Sequence, residues 1–263
     1  MRTDLFSLTG RVALVTGGSR GIGKMIAEGF LLAVCSRVYI SARKAGPCGA
    51  TAEELTTKTG GECISIPIDI STVAGCKALA AEIIRLEGGK LDILVNNAGA
   101  AWLAPFDDFP ENGWDKVMNL NVKSPFYLIQ ALHGALKSAG TFDRPAKVIN
   151  IASIDGQRPN PQETYSYHAS KAALIHLTRR LAATLIQDNI VMTAICPGAF
   201  ASEMNITARD HADEVAKRIP FRRIGDAEDM AGPAVFLASR AGDYVVGTTL
   251  TVDGGIVGSA EAL

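Results

Sequence analysis

The chain has 263 residues, 48% of them hydrophobic, and its 26 basic residues nearly cancel 27 acidic ones. That length suits one large α/β domain with a two-sided core, and the charge balance gives nucleic acid or an anionic membrane surface no footing. The cysteines at 35, 48, 63, 76 and 196 hold no CxxC pair, histidines 133, 168, 176 and 211 lack zinc spacing, and no apolar run nears the roughly 20 residues that span a bilayer, so a cytoplasmic protein without a catalytic metal is expected.

Val12 to Val15 read as a buried strand, the glycines at 17, 21 and 23 as a tight turn, and Lys24 to Leu32 as a helix. Glycine there lets a ligand approach the backbone, and the free N–H groups and positive end of the helix attract a diphosphate. Gly17, Ser19, Arg20, Gly21, Ile22 and Gly23 are the candidate contacts. The spacing Thr16-Gly-x-x-x-Gly-x-Gly23 resembles the short-chain dehydrogenase/reductase superfamily rather than the GxGxxG of longer dehydrogenases. The resemblance implies a single Rossmann-like domain over 1–263, a doubly wound sheet of about seven mostly parallel strands with helices on both faces.

Arg37 to Ala42 form a second predicted strand, and no acidic residue follows it to hold the adenosine ribose of NAD. Arg43 and Arg20 instead suit a 2′-phosphate, which selects NADP(H). The link before this strand departs from the family, which usually ends the helix with glycine. Val34 and Cys35 resist the left-handed conformation of such a cap, so an altered or longer turn is expected. A loop over 44–49 then precedes a helix around Ala50 to Thr59. Glu62 to Ile68 alternate as a strand, followed by Asp69 and Ile70. Asp69 or Ser71 can cap the helix running to about Leu86, and the resemblance implies that Asp69 contacts the adenine amino group.

Leu91 to Val95 make another strand that leads into Asn96-Asn97-Ala98-Gly99. Two amides at a strand end can line the cleft and tie strands together, and in the family Asn97, Ala98 and Gly99 border the cofactor. Trp102 in the next loop can wall an apolar substrate pocket. Glu111 to Lys137 is a long helical region in which Asn121 matches the family's catalytic asparagine, whose main chain holds a water in the proton path.

Lys147 to Ala152 form a strand ending at Ser153, and the next helix carries Tyr167-His-Ala-Ser-Lys171. Tyrosine and lysine four apart share one helical face. A cation at ~4 Å in an effective dielectric of ~20 contributes about 4 kcal/mol, or about three pKa units, which brings a phenol from ~10 to about 7. Tyr165 has no such lysine, because Ala169 stands four residues on. The family's scheme gives Ser153 a hydrogen bond to the substrate oxygen, Tyr167 the proton transfer, Lys171 the ribose hydroxyls, and Asn121 a water relay.

Ile190 to Cys196 form a further strand, with Cys196 a small buried residue. In the family Pro197 and Gly198 bend over the nicotinamide, Phe200 lies beside them near the substrate, and Ser202 stands where a threonine contacts the carboxamide. Residues 199–219 read as a substrate lid, Pro220 to Ala238 as a helix, and Gly247 to Gly255 as a last strand. The resemblance further implies a homotetramer and NADPH-dependent reduction of a ketone, or its reverse, with 3-oxoacyl reductases and rhamnolipid-pathway relatives the nearest pattern. Sugar or polyol oxidation is the alternative. A non-catalytic, nucleotide-responsive binding protein is a third reading, which calls for a broken Ser, Tyr or Lys; none is broken.

Overall fold

The computed structural model describes residues 4–202 and 205–259. Its strands are β1 (Val12–Thr16), β2 (Arg37–Ser41), β3 (Cys63–Ile66), β4 (Ile93–Asn96), β5 (Ala146–Ile151), β6 (Ile190–Pro197) and β7 (Thr249–Val252). They form one sheet of order β3-β2-β1-β4-β5-β6-β7, and every pair is parallel. The helices are α1 (Gly21–Leu32), α2 (Ala45–Thr59), α3 (Val73–Leu86), α4 (Glu111–Met118), α5 (Ser124–Ala139), α6 (Tyr165–Leu185), α7 (Ile206–Asp210), α8 (Ala212–Ala216) and α9 (Ala227–Ala238).

Alternation along each strand divides the core in two. Ala13, Val15, Ile93 and Val95 meet Phe30, Leu55 and Met230 from α1, α2 and α9. Leu14, Leu94 and Val148 meet Leu79, Leu128 and Leu185 from α3, α5 and α6. Both faces are therefore buried, which is why the strands read as continuous apolar runs. Each fully buried large side chain, such as Phe30 or Leu14, contributes about 1.5–3 kcal/mol.

Three local expectations are corrected. The turn after α1 is not lengthened: Val34 itself takes the left-handed conformation (φ 65°), and the N–H groups of Val34 and Cys35 donate to Leu31 O and Phe30 O at 3.0 and 2.9 Å. The closing hydrogen bonds outweigh a backbone cost of about 1–2 kcal/mol for a residue with a Cβ. Residues 45–49 are the first turn of α2 rather than a loop, because Pro47 lies where a missing N–H is harmless. The cap of α3 is Thr72, whose Oγ1 accepts the Gly75 N–H at 3.1 Å, whereas Asp69 accepts the Ser71 N–H at 2.9 Å in a turn outside the helix.

Further along, the helix expected from Pro220 starts only at Ala227, where Asp226 and Asp229 form a reciprocal capping box. Between α4 and α5 the expected continuous helix widens into a π-helical turn over Asn119–Lys123, with the Ser124 N–H donating to Asn119 O. Among the described residues no helix is long and apolar enough to cross a membrane, and no cluster of His, Cys, Asp or Glu could hold a metal ion.

Candidate active site

Strand order reverses between β1 and β4, and the crevice outside the carboxyl ends there is where open α/β sheets bind ligands. One wall is the glycine turn. Gly17 has φ +65°, and a Cβ at Gly23 would lie 2.4 Å from Asn97 Nδ2 and from Gly17 O, so neither position tolerates a side chain. The start of α1 has no side-chain cap and no acidic residue in its first turn, which leaves its N–H groups and positive end for an anion. These features fit a dinucleotide diphosphate.

The opposite wall is fixed by amides. Asn97 Nδ2 donates to Thr16 O and Gly17 O at 2.9 and 3.2 Å, and the N–H groups of Asn97 and Ala98 donate to Thr16 Oγ1. Asn96 Nδ2 donates to Asn150 Oδ1 at 2.9 Å, and Asn150 Nδ2 donates to Thr178 Oγ1 at 2.9 Å, which carries the network from β4 through β5 into α6. In the π-helical turn, buried Asn121 donates to Ala100 O and Ser170 Oγ at 2.9 and 3.0 Å and accepts the Ala100 N–H at 2.8 Å. Its amide is fully used, so the turn is locked to the Gly99 loop and to α6.

Ser153, Tyr167 and Lys171 meet at the end of β5. The Ser153 hydroxyl accepts the Asp155 N–H at 3.1 Å and acts on the Tyr167 phenol in the direction of greater acidity. Lys171 Nζ donates to Ile151 O at 2.8 Å and lies 5.4 Å from the Tyr167 ring centroid. Burial pushes the Lys171 ammonium from 10.5 down to about 8. Burial, then the Asp155 charge, pushes the Tyr167 phenol above its ordinary range. The expected acidification of Tyr167 by Lys171 is therefore corrected: burial raises the phenol, and the amine is turned to a backbone carbonyl.

The chain matches, over residues 17–257, the family described as enoyl-(acyl carrier protein) reductase. It is 46% identical over 253 residues to the rhamnolipids biosynthesis 3-oxoacyl-[acyl-carrier-protein] reductase of Pseudomonas aeruginosa, covering 95% of this chain and 97% of that one. It is also 39% identical to the 2-dehydro-3-deoxy-D-gluconate 5-dehydrogenase of Dickeya dadantii, over 97% and 98% of the two chains. The Pseudomonas aeruginosa RhlG/NADP active-site complex superposes with a TM-score of 0.92 at 44% identity, covering 97% of this chain and all of that one (100%). The chain belongs to the short-chain dehydrogenase/reductase superfamily.

Within this short-chain fold the remaining expected residues are placed as follows. Arg43 is exposed just beyond β2, while Arg20 lines a cleft with Gly21, Lys24, Ser202 and Arg209. Thr51 Oγ1 donates to Ser19 O at 2.8 Å, tying α2 to the glycine turn. Ile22 packs against the core, Asp69 is exposed, and Ile70 is buried, its carbonyl accepting the Ser124 hydroxyl at 2.7 Å. Pro197 closes β6, and the Gly198 N–H donates to Val252 O at 2.9 Å. Ser202 accepts the Asn205 N–H at 3.0 Å and stands against Gly21.

Two substrate-pocket expectations change. Phe200 is 3% exposed, packs its ring over Gly225 and belongs to the core while lining the cleft of Phe221, Leu250 and Val252. Trp102 packs on Gly113, with Lys116 Nζ 5.1 Å above its ring, so it braces α4. The apolar surface beside the start of α6 is an edge-to-face series of Phe106, Tyr165, Phe109 and Trp114, with exposed Leu103 nearby in the same loop. The cleft lined by Phe221, Leu250 and Val252 contains none of Ser153, Tyr167 or Lys171. The burial of Cys196 raises its thiol to about 11, which suits a structural residue.

Sequence reasoning passed over Thr16, Asn150, Ser170 and Thr178. Only Ser170 carried a usable signal, standing three residues after Tyr167 and donating to Tyr167 O at 2.8 Å.

Proposed function

We propose that the chain is an NADPH-dependent carbonyl reductase, or secondary alcohol dehydrogenase in reverse, acting on 3-oxoacyl or bulky apolar ketones. The observation that carries this reading is the convergence of Ser153, Tyr167, Lys171 and Asn121 beside an uncapped helix start and a glycine turn without room for side chains. Gly17, Ser19, Gly21, Ile22 and Gly23 hold the diphosphate side, and Arg20 and Arg43 the 2′-phosphate. Asp69, Ile70, Asn97, Ala98 and Gly99 border the adenosine and ribose, and Pro197, Gly198, Phe200 and Ser202 back the nicotinamide end. Bound NADPH supplies hydride to the carbonyl carbon.

The protein then has to bind, orient and protonate. Ser153 hydrogen-bonds the carbonyl oxygen and fixes its direction. Tyr167 donates its proton to that oxygen as the alkoxide develops. Lys171 holds the ribose hydroxyls and offsets the negative charge left on the phenol. Asn121 keeps the π-helical turn in place for the water relay. Residues 199–219 act as the substrate lid; Glu203 and Met204 lie outside the described residues.

The loop aromatics beside Tyr165 favour an apolar ketone over a sugar, which needs polar partners on every hydroxyl. The sugar-acid dehydrogenases among the relatives make sugar or polyol oxidation the competing reading. A homotetramer in the cytoplasm completes the proposal. NADPH consumption measured against 3-oxoacyl thioesters, bulky aryl ketones and sugars tests it. Turnover of the first two classes is expected, and silence on every ketone would transfer the reading to a nucleotide-responsive binding protein.

A further inference from the structure

Ser170 stands on α6 between the two residues that handle the proton, after Tyr167 and directly before Lys171, and it is fully buried. A serine inside a helix commonly turns its hydroxyl back to a carbonyl of the preceding turn. Ser170 Oγ donates to Tyr167 O at 2.8 Å, and that bond fixes the direction of its lone pairs. They face the π-helical turn, where Asn121 Nδ2 donates to Ser170 Oγ at 3.0 Å.

The rest of the Asn121 amide is committed to Ala100, with Nδ2 donating to its carbonyl at 2.9 Å and Oδ1 accepting its N–H at 2.8 Å. Asn121 is 1% exposed, so solvent cannot take the place of a lost partner. A Cβ at Gly99 would lie 3.3 Å from Asn121 Oδ1 and 3.8 Å from Lys171 Nζ, so the turn and the ammonium close on the same small residue. A π-helical turn is a rare shape, and here the ties to Ala100 and Ser170 hold it.

We infer that Ser170 is a positioning residue for proton transfer: its hydroxyl couples the backbone of Tyr167 to the Asn121 turn and keeps that turn in register with Lys171. The inference rests on the carbonyl-reductase reading. Once Tyr167 has given its proton to the alkoxide, the phenolate regains one from solvent by way of the water at Asn121 and the Lys171 ammonium. Loosening the turn slows that return and leaves the binding of substrate and cofactor in place.

Ser170→Ala, which removes only the oxygen, tests the coupling. Ser166→Ala is the control, one turn earlier on the same face of α6, where an equally buried hydroxyl has no hydrogen-bond partner among the described residues. Steady-state reduction of a 3-oxoacyl thioester in light and heavy water is read beside amide hydrogen exchange at Ala100. In Ser170→Ala, kcat falls about tenfold with KM and NADPH affinity within about twofold, and the solvent isotope effect on kcat rises about 1.5-fold or more. Exchange at Ala100 speeds up about tenfold or more, while Ser166→Ala leaves every reading within about twofold. In an Asn121→Ala background Ser170→Ala adds little, because the partner it acts through is gone. Native-like kcat or isotope effect in Ser170→Ala, unchanged exchange at Ala100, an equal loss in Ser166→Ala, or additive losses with Asn121→Ala overturns the inference. Absence of turnover of every carbonyl by the native protein would count against the reductase reading, while exchange at Ala100 still decides whether Ser170 holds the turn.

Discussion

The ammonium of Lys171 donates to the carbonyl of Ile151 at 2.8 Å, so α6 is anchored to the end of β5 through the residue expected to tune Tyr167. Burial in that position depresses Lys171 from 10.5 to about 8. The unfolded chain then binds the proton more tightly than the folded one, and the full cost is present below pH 8.

Stability is consequently expected to rise with pH across about 8 to 10.5, by up to about 3 kcal/mol from this group. Lys171→Met removes that contribution. In urea titrations at pH 7 and pH 10.5, the native protein should gain on the variant by about that amount as pH rises, and a pH-independent difference would contradict the assignment.

Arg43 bears on cofactor choice. It is exposed at the end of β2, and no acidic residue stands at Ala42 or Arg43 to take a ribose hydroxyl. Arg43→Asp removes a charge-assisted contact worth about 1.5–3 kcal/mol and adds a repulsive one, so NADPH affinity should fall at least about tenfold while NADH affinity does not. An unchanged preference in cofactor titrations would remove Arg43 from the site.

Val34 is a β-branched residue held at φ 65° while 62% exposed. Val34→Gly relieves about 1–2 kcal/mol of backbone strain and returns part of it as unfolded-state entropy. A net gain of about 0.5–1 kcal/mol is expected in equilibrium unfolding, and a loss would show that the valine side chain contributes more than its strain costs.

The parts of the fold legible in the sequence were those written in one local pattern. Val12 to Gly23 spells out strand, turn and helix, and the burial of β1 and β4 on both faces follows from their apolar runs. Asn96 and Asn97 were readable as ties because two amides at a strand end have few other uses. What escaped depended on distant partners. The π-helical turn at Asn121 is set by Ala100 and Ser170, and Phe200 is buried because Gly225 leaves space for its ring. The direction of the Tyr167 shift also escaped, since charge spacing on a helix is visible in sequence and desolvation is not.

The most direct measurement is turnover and NADPH binding by Tyr167→Phe, which keeps the ring and loses only the hydroxyl. The account predicts a fall in kcat of at least about 10²-fold, with NADPH affinity within about threefold of the native protein. A variant retaining more than about a tenth of native kcat would contradict the placement of the proton on Tyr167.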